Sequence, residues 1–381
     1  MDKINNTNKK INSGDLLEYR VSRLIFHMGY YSKIGIELRT SQDLNSELIT
    51  DLDVLGIRFN KDFSEKDIWA DCKSGRAKTL ERISWLVGIK KQLHFDDILF
   101  VKSNVKAPIK DFARNNDIQI LDLRILDRLE KDFSISNNMW EGSWNPHVLI
   151  DVKKNFSKIQ APQNSQYKKI YKFLTSDYWH VDKYTSFKKC ITAISELSKL
   201  PIDILDEDDR KSIKWAFYES VSLFTLSLLK IVRELYFMDD NERKSMFHDR
   251  IISGEISLKK RTELVSASYR LAFNLIKQQQ PEFEIPENLS GPISITPPLY
   301  FESAAMLVDK VVSNPLDYYD ILRSMDYIFF QYDFFDKKIK IDELNKKFGN
   351  INNNEKGIKN ILHFLNQVAD LPKEFFGMIN N

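Results

Sequence analysis

The segment IWADCKSG (68–75) decides how the N-terminal third of the chain is read. Side chains two apart on a β-strand share a face. Asp71 and Lys73 therefore point the same way as Trp69, while Ile68, Ala70 and Cys72 point the other way and suit packing under a helix. The preceding run ITDLDVLGIRF (49–59) alternates in the same manner, with Asp51, Asp53 and Leu55 on one face and Leu52 and Val54 on the other. A polar gap, NKDFSEKD (60–67), separates the two runs, as a hairpin connection does. Paired as a hairpin, they bring two carboxylates and an ammonium to neighbouring strand ends.

Working outward, GDLLEYRVSRLIFHMG (14–29) places Leu16, Leu17, Val21, Leu24, Ile25 and Met28 at helical spacing, with Gly29 as a stop. KIGIELRT (33–40) alternates like a strand. Beyond the SGR turn, AKTLERISWLVGIKKQL (77–93) reads as an amphipathic helix and DILFV (97–101) as a short buried strand. APIKDFARNN (107–116) is a helix, IQILDL (118–123) a strand and ILDRLEKDF (125–133) a closing helix. The order helix, three strands, helix, strand, helix, strand, helix predicts an α/β core with a mixed sheet flanked by helices. Residues 1–13 read as a flexible tail. Residues 134–166, rich in Asn, Ser, Gly and Pro, read as a linker or bridging segment. From 167 to 381 the pattern is mainly helical, broken at 281–298 and 348–357, with no fixed-period repeat.

Composition narrows the function classes. Hydrophobic residues make up 43% of the chain, enough for real cores, and only 12 glycines and 11 prolines favour long regular elements. The 56 basic and 54 acidic residues leave a net charge of +2, so contact with nucleic acid rests on local patches such as Lys73–Arg82. Cys72 and Cys190, the two cysteines, cannot build a disulfide framework or a cysteine zinc site. The polar start MDKINNTNKKINSG lacks the apolar core of a signal peptide. The apolar stretch WAFYESVSLFTLSLLKIV (215–232) contains Glu219 and Lys230 and reads as a buried helix rather than a membrane span. These features predict a cytoplasmic protein with no membrane segment. No G-x-x-x-x-G-K-[ST], H-E-x-x-H or G-x-S-x-G motif occurs, and the six histidines are scattered.

The convergent acids and lysine have a chemical use. Two carboxylates bind a hard divalent cation such as Mg²⁺ or Mn²⁺, which keeps waters in its remaining positions. The cation acidifies a bound water and stabilises charge developing on a phosphate. The backbone carbonyl of Cys72 is a candidate third ligand, and the Lys73 ammonium can orient the attacking water or hold the phosphate. Asp51 stands as the alternative to Asp53. The plainer reading of Asp71 and Lys73 is a cross-strand ion pair, worth only about 0–1 kcal/mol at a surface. Arg76, Lys78 and Arg82 follow the motif, with Lys78 and Arg82 four apart on one helix face. They are candidate phosphate contacts, or else a solvated face with Glu81 interspersed. Gln92 is a weaker candidate for a polar site residue.

Asp53 in TDLDVLG, the D-x-K of Asp71, Cys72 and Lys73, the Ser-Gly turn and the helix after it together resemble the PD-(D/E)xK nuclease superfamily. The closer likeness is to its Mrr-like and Holliday-junction-resolvase-like branches. In those branches an acid of the first helix often joins the site, a place that Glu18 fills here. The resemblance covers residues 14–133, about a third of the chain. It departs from the common pattern in having Asp71 where glutamate is more usual and Leu52 where proline precedes the first acid. It implies a restriction-endonuclease-like core and a Mg²⁺- or Mn²⁺-dependent endonuclease. Asp53, Asp71, Lys73 and Glu18 would be its catalytic residues, and Asp53, Asp71 and the Cys72 carbonyl would hold the metal. The implied substrate is DNA before RNA, and the implied setting is bacterial restriction or anti-phage defence. A non-hydrolysing, DNA-binding or assembly subunit on the same fold is the alternative. The helical half is then expected to recognise a trigger, a substrate or a partner protein of a multi-subunit system, with homodimerisation left open.

Overall fold

The computed structural model describes residues 11–40, 46–75, 78–136, 140–159, 164–200, 205–284, 295–335 and 341–378. Helix α1 (Ser13–His27) begins where the Asn12 side chain accepts hydrogen bonds from the Gly14 and Asp15 amides, at 2.7 and 2.9 Å. Three antiparallel strands follow, β1 (Tyr31–Arg39), β2 (Leu48–Phe59) and β3 (Glu65–Cys72). Helix α2 (Thr79–Leu93) crosses to β4 (Asp97–Val101), α3 (Ala107–Arg114) to β5 (Ile118–Leu121), and α4 (Leu123–Asp132) closes the unit. The sheet order is β1-β2-β3-β4-β5, with β4 parallel to β3 and β5 parallel to β4. The predicted α/β class and mixed sheet are therefore present, in the predicted element order.

Strand alternation sorts the two faces of the sheet. Val54, Ile68, Ala70 and Cys72 pack with Leu17, Val21, Leu24 and Ile25 of α1 and Leu126 of α4. At Gly56 the helix descends directly onto the sheet. A Cβ there would sit 2.5 Å from Ile25 Cγ2 and 2.7 Å from Ile68 Cγ2, so only glycine allows this approach. The opposite face carries Leu55, Ile57, Trp69 and Phe100, buried in the same apolar cluster as Ile83, Leu86 and Ile89 of α2. The acids of β2 and β3 belong to this second face.

The rest of the described chain is mainly helical: α5 (Pro146–Phe156), α6 (Asn164–Thr175), α7 (Lys183–Ser198), α8 (Glu207–Leu235), α9 (Asp240–Ser253), α10 (Leu258–Gln279), α11 (Phe301–Ser313), α12 (Ile321–Phe335), α13 (Ile341–Lys347) and α14 (Ile351–Ala369). α8, 29 residues long, is the one helix among the described residues apolar and long enough to cross a membrane. In the protein 94% of that apolar window is buried, as the sequence predicts. It forms the axis against which α5, α6, α7 and α12 pack.

Within the segment read as a linker or bridging element, the described residues 140–159 pack into the fold. Asn145 and Pro146 look like loop punctuation, yet the Asn145 side chain caps the His147 amide at 3.0 Å and Pro146 opens α5. Leu149, Val152 and Phe156 of α5 are buried, and Trp144 stacks between Phe26 of α1, at 4.1 Å, and Tyr327 of α12, at 5.6 Å. One apolar cluster thus runs from the sheet into the helices.

The helical half also covers the free edge of β1. Ser176 Oγ donates to the Glu37 carbonyl at 3.0 Å, and Lys153 Nζ reaches the Ile34 carbonyl at 3.5 Å. His180 Nε2 accepts the Arg39 amide at 2.9 Å. An exposed edge would otherwise offer these groups to another chain.

Candidate active site

The β2–β3 ladder pairs Val54 with Ala70 and Leu55 with Trp69, so Asp53 and Asp71 come next along the two strands, on one face. Asp71 is fully buried and Asp53 nearly so. β3 ends at Cys72, whose amide donates to Asp53 Oδ2 at 2.7 Å. The Lys73 amide is held by the Val101 carbonyl of β4 at 3.0 Å, which fixes the start of its side chain over the same face.

Lys73 Nζ then stands 2.9 Å from Asp53 Oδ2, 3.1 Å from Asp71 Oδ1 and 3.1 Å from the Cys72 carbonyl. The three oxygens predicted as metal ligands thus converge on one point, where the ammonium sits. Among the described residues no three or more His, Cys, Asp or Glu side chains cluster as a metal site. The set here is two carboxylates and a carbonyl, a donor set that suits Mg²⁺, which takes its other oxygens from water and substrate. The residues present fit a hard divalent cation.

Burial and charge act on each group. Burial is the main force raising the Asp53 carboxyl above its usual range, against the pull of Lys73 and the Cys72 amide. Burial opposes the charge of Lys73, but Asp71 and Asp53 outweigh it and the ammonium is held above its usual value. Glu18 on α1 is pushed up to about 8, first by burial and then by the nearby charges of Asp53 and Asp15, with Lys73 and Lys153 partly offsetting them. Burial thus favours the protonated form of Glu18, which feels the charges of Asp53 and Lys73. Asp51, two residues farther along β2, is exposed opposite Glu37 and feels the Lys73 charge, without a hydrogen bond to the cluster.

The basic candidates divide. Arg82 turns inward from α2 and forks Asp71, with Nε 3.0 Å from Oδ2 and Nη2 2.5 Å from Oδ1, while its guanidinium stacks 3.9 Å from the Trp85 ring centroid. Lys78 is exposed and pairs with Glu81 at 2.9 Å, the solvated-face arrangement. Arg76 lies outside the described residues. Gln92 is exposed about 15 Å along α2 from Arg82, too far away to take part.

Sequence reasoning missed a second charged group, on the same sheet. Lys33 of β1 is ion-paired with Glu219 of α8 and lies 4.0 Å from Asp326 of α12, which accepts from Ser143 Oγ. Asp326 is raised to about 6 by burial. An acid inside the apolar run of α8 was the visible signal, but its partner across the sheet was not. No family model, curated protein or solved structure matches this chain.

Proposed function

We propose that the protein is a metal-dependent nuclease of the PD-(D/E)xK type that hydrolyses phosphodiester bonds in DNA, acting in bacterial restriction or anti-phage defence. The observation that carries this reading is the convergence of Asp53, Asp71 and the Cys72 carbonyl on the Lys73 ammonium, within 2.9–3.1 Å. The sheet supports it, with its three antiparallel strands, a helix and a parallel fourth strand in the arrangement that the resemblance implies.

Asp53, Asp71 and the Cys72 carbonyl are the groups that would hold the cation. When bound, Mg²⁺ or Mn²⁺ supplies an acidified water and charge stabilisation at the phosphate. Lys73, released from the carboxylates, pairs with a phosphate oxygen. Glu18, protonated at rest, is a further oxygen donor once it loses its proton. The helical half, packed over the β1 edge and joined to the sheet through Lys33 and Glu219, is the part that meets a trigger or partner protein in a cytoplasmic setting.

A second reading is favoured by the Arg82–Asp71 fork. Two cations already neutralise the two acids, as in a cluster built for stability, so a nuclease-fold subunit that binds DNA without cutting it has the same resting geometry. Incubating the full-length protein with plasmid DNA and with matched RNA, in Mg²⁺ or in EDTA, separates the readings. The nuclease reading predicts Mg²⁺-dependent DNA cleavage that falls by roughly 100-fold or more in Asp71→Asn and Lys73→Ala. Cleavage that persists in both variants sinks the site, and DNA binding without cleavage supports the second reading.

A further inference from the structure

Arg82 does more at this site than a phosphate-contacting side chain on a helix needs to do. Its guanidinium engages both oxygens of Asp71, at 2.5 and 3.0 Å, and Lys73 shares the nearer oxygen at 3.1 Å. Asp71 has no solvent exposure, so these two cations account for its charge. Stacking on Trp85 fixes the guanidinium plane for the fork. Across the contact set, the carboxylates of Asp53 and Asp71 are matched by the cations of Lys73 and Arg82. A divalent ion entering this arrangement meets no net negative charge and finds one ligand fully occupied.

We propose that Arg82 is a latch that keeps the metal out of the Asp53–Asp71 site until a nucleic-acid phosphate draws its guanidinium away. The proposal rests on the nuclease reading above and adds its regulation. A phosphodiester oxygen competes for the same planar fork that holds Asp71, because guanidinium pairs bidentately with phosphate as well as with carboxylate. Once Arg82 turns to the phosphate, Asp71 regains an open oxygen and the site gains one negative charge. Metal and nucleic acid then bind with positive coupling, and by linkage each raises the affinity of the other by the same factor. Arg82 is a positioning residue in this scheme, acting on the cation through Asp71.

The test is Mn²⁺ binding to the metal-free full-length protein, followed by titration calorimetry with and without a short phosphorothioate DNA duplex that resists hydrolysis. The latch predicts weak Mn²⁺ binding alone and binding on the order of tenfold tighter with the duplex. Arg82→Met keeps the aliphatic stem over Trp85 and removes the charge. It is expected to bind Mn²⁺ about tenfold tighter without DNA and to lose most of the DNA dependence. A merely structural role for Arg82 has the opposite sign, since a loosened site binds metal more weakly. Arg82→Lys, which keeps the charge without the fork, is expected to fall between the two and covers the case in which the methionine variant fails to fold. Equal Mn²⁺ affinity in wild type and both variants, with or without DNA, overturns the latch alone. No Mn²⁺ binding in any protein under any condition overturns the metal site and the latch together.

Discussion

The ammonium of Lys33, on the edge strand β1, is ion-paired with the carboxylate of Glu219 in the middle of α8. Both side chains are buried, and the contact ties the sheet that carries the site to the helical half. Removing one partner strands the other charge in the interior. Lys33→Met is therefore expected to cost about 3–5 kcal/mol of unfolding free energy. Lys33→Met combined with Glu219→Leu should recover part of that loss, because two apolar groups can replace a buried pair at little cost while Asp326 still loses its neighbouring cation. Urea unfolding of the three proteins measures both effects.

Glu18 makes stability depend on pH. Its carboxyl is raised from 4.5 to about 8 by burial and by Asp53 and Asp15, so the native state binds a proton that the unfolded chain releases. Stability from this group is full below about pH 4.5 and is lost as the pH rises towards 8. Glu18→Gln should behave like wild type at pH 5 and become progressively more stable than wild type between pH 5 and 8. Urea midpoints across that range check the sign.

Asp71 and Lys78 predict opposite outcomes for stability. Asp71→Asn leaves Lys73 and Arg82 beside a buried neutral amide and should destabilise by about 3–5 kcal/mol without metal. Lys78→Ala breaks an exposed pair with Glu81 and should change stability by less than about 1 kcal/mol. Thermal unfolding of both variants tests the contrast.

Cys72 and Cys190 are free and buried, and burial holds both thiols well above their usual pKa. Neither is expected to react with a thiol-specific disulfide reagent at pH 8 until the protein is unfolded, when both should react. A rapid reaction of either thiol in the native protein contradicts the placement.

Much of the sheet was legible because alternation has only two phases. Once Asp53, Asp71 and Lys73 were assigned to one face, Val54, Ala70 and Cys72 had to lie on the other, and they do. The element order followed from periodicity and glycine stops. What could not be read was pairing between distant segments. The spacing of Arg82 after Lys78 shows a helix face, but Trp85 and the buried Asp71 turn its guanidinium inward. Asn145 and Pro146 carry turn chemistry, and their use as a helix start depends on α8 offering a surface for Leu149 and Phe156. Glu219 was visible as an acid in an apolar run, while Lys33, 186 positions away, gave no sign of being its partner.

The three oxygens now gathered around an ammonium are the proposed divalent-cation site. Diffraction from crystals of the full-length protein grown with Mn²⁺ and the phosphorothioate duplex tests it most directly. An anomalous peak is expected about 2.0–2.6 Å from Asp53 Oδ2, Asp71 Oδ1 and the Cys72 carbonyl, with Lys73 Nζ moved off that point. A duplex-bound protein with no peak there, and with Lys73 still 2.9 Å from Asp53 Oδ2, would contradict it.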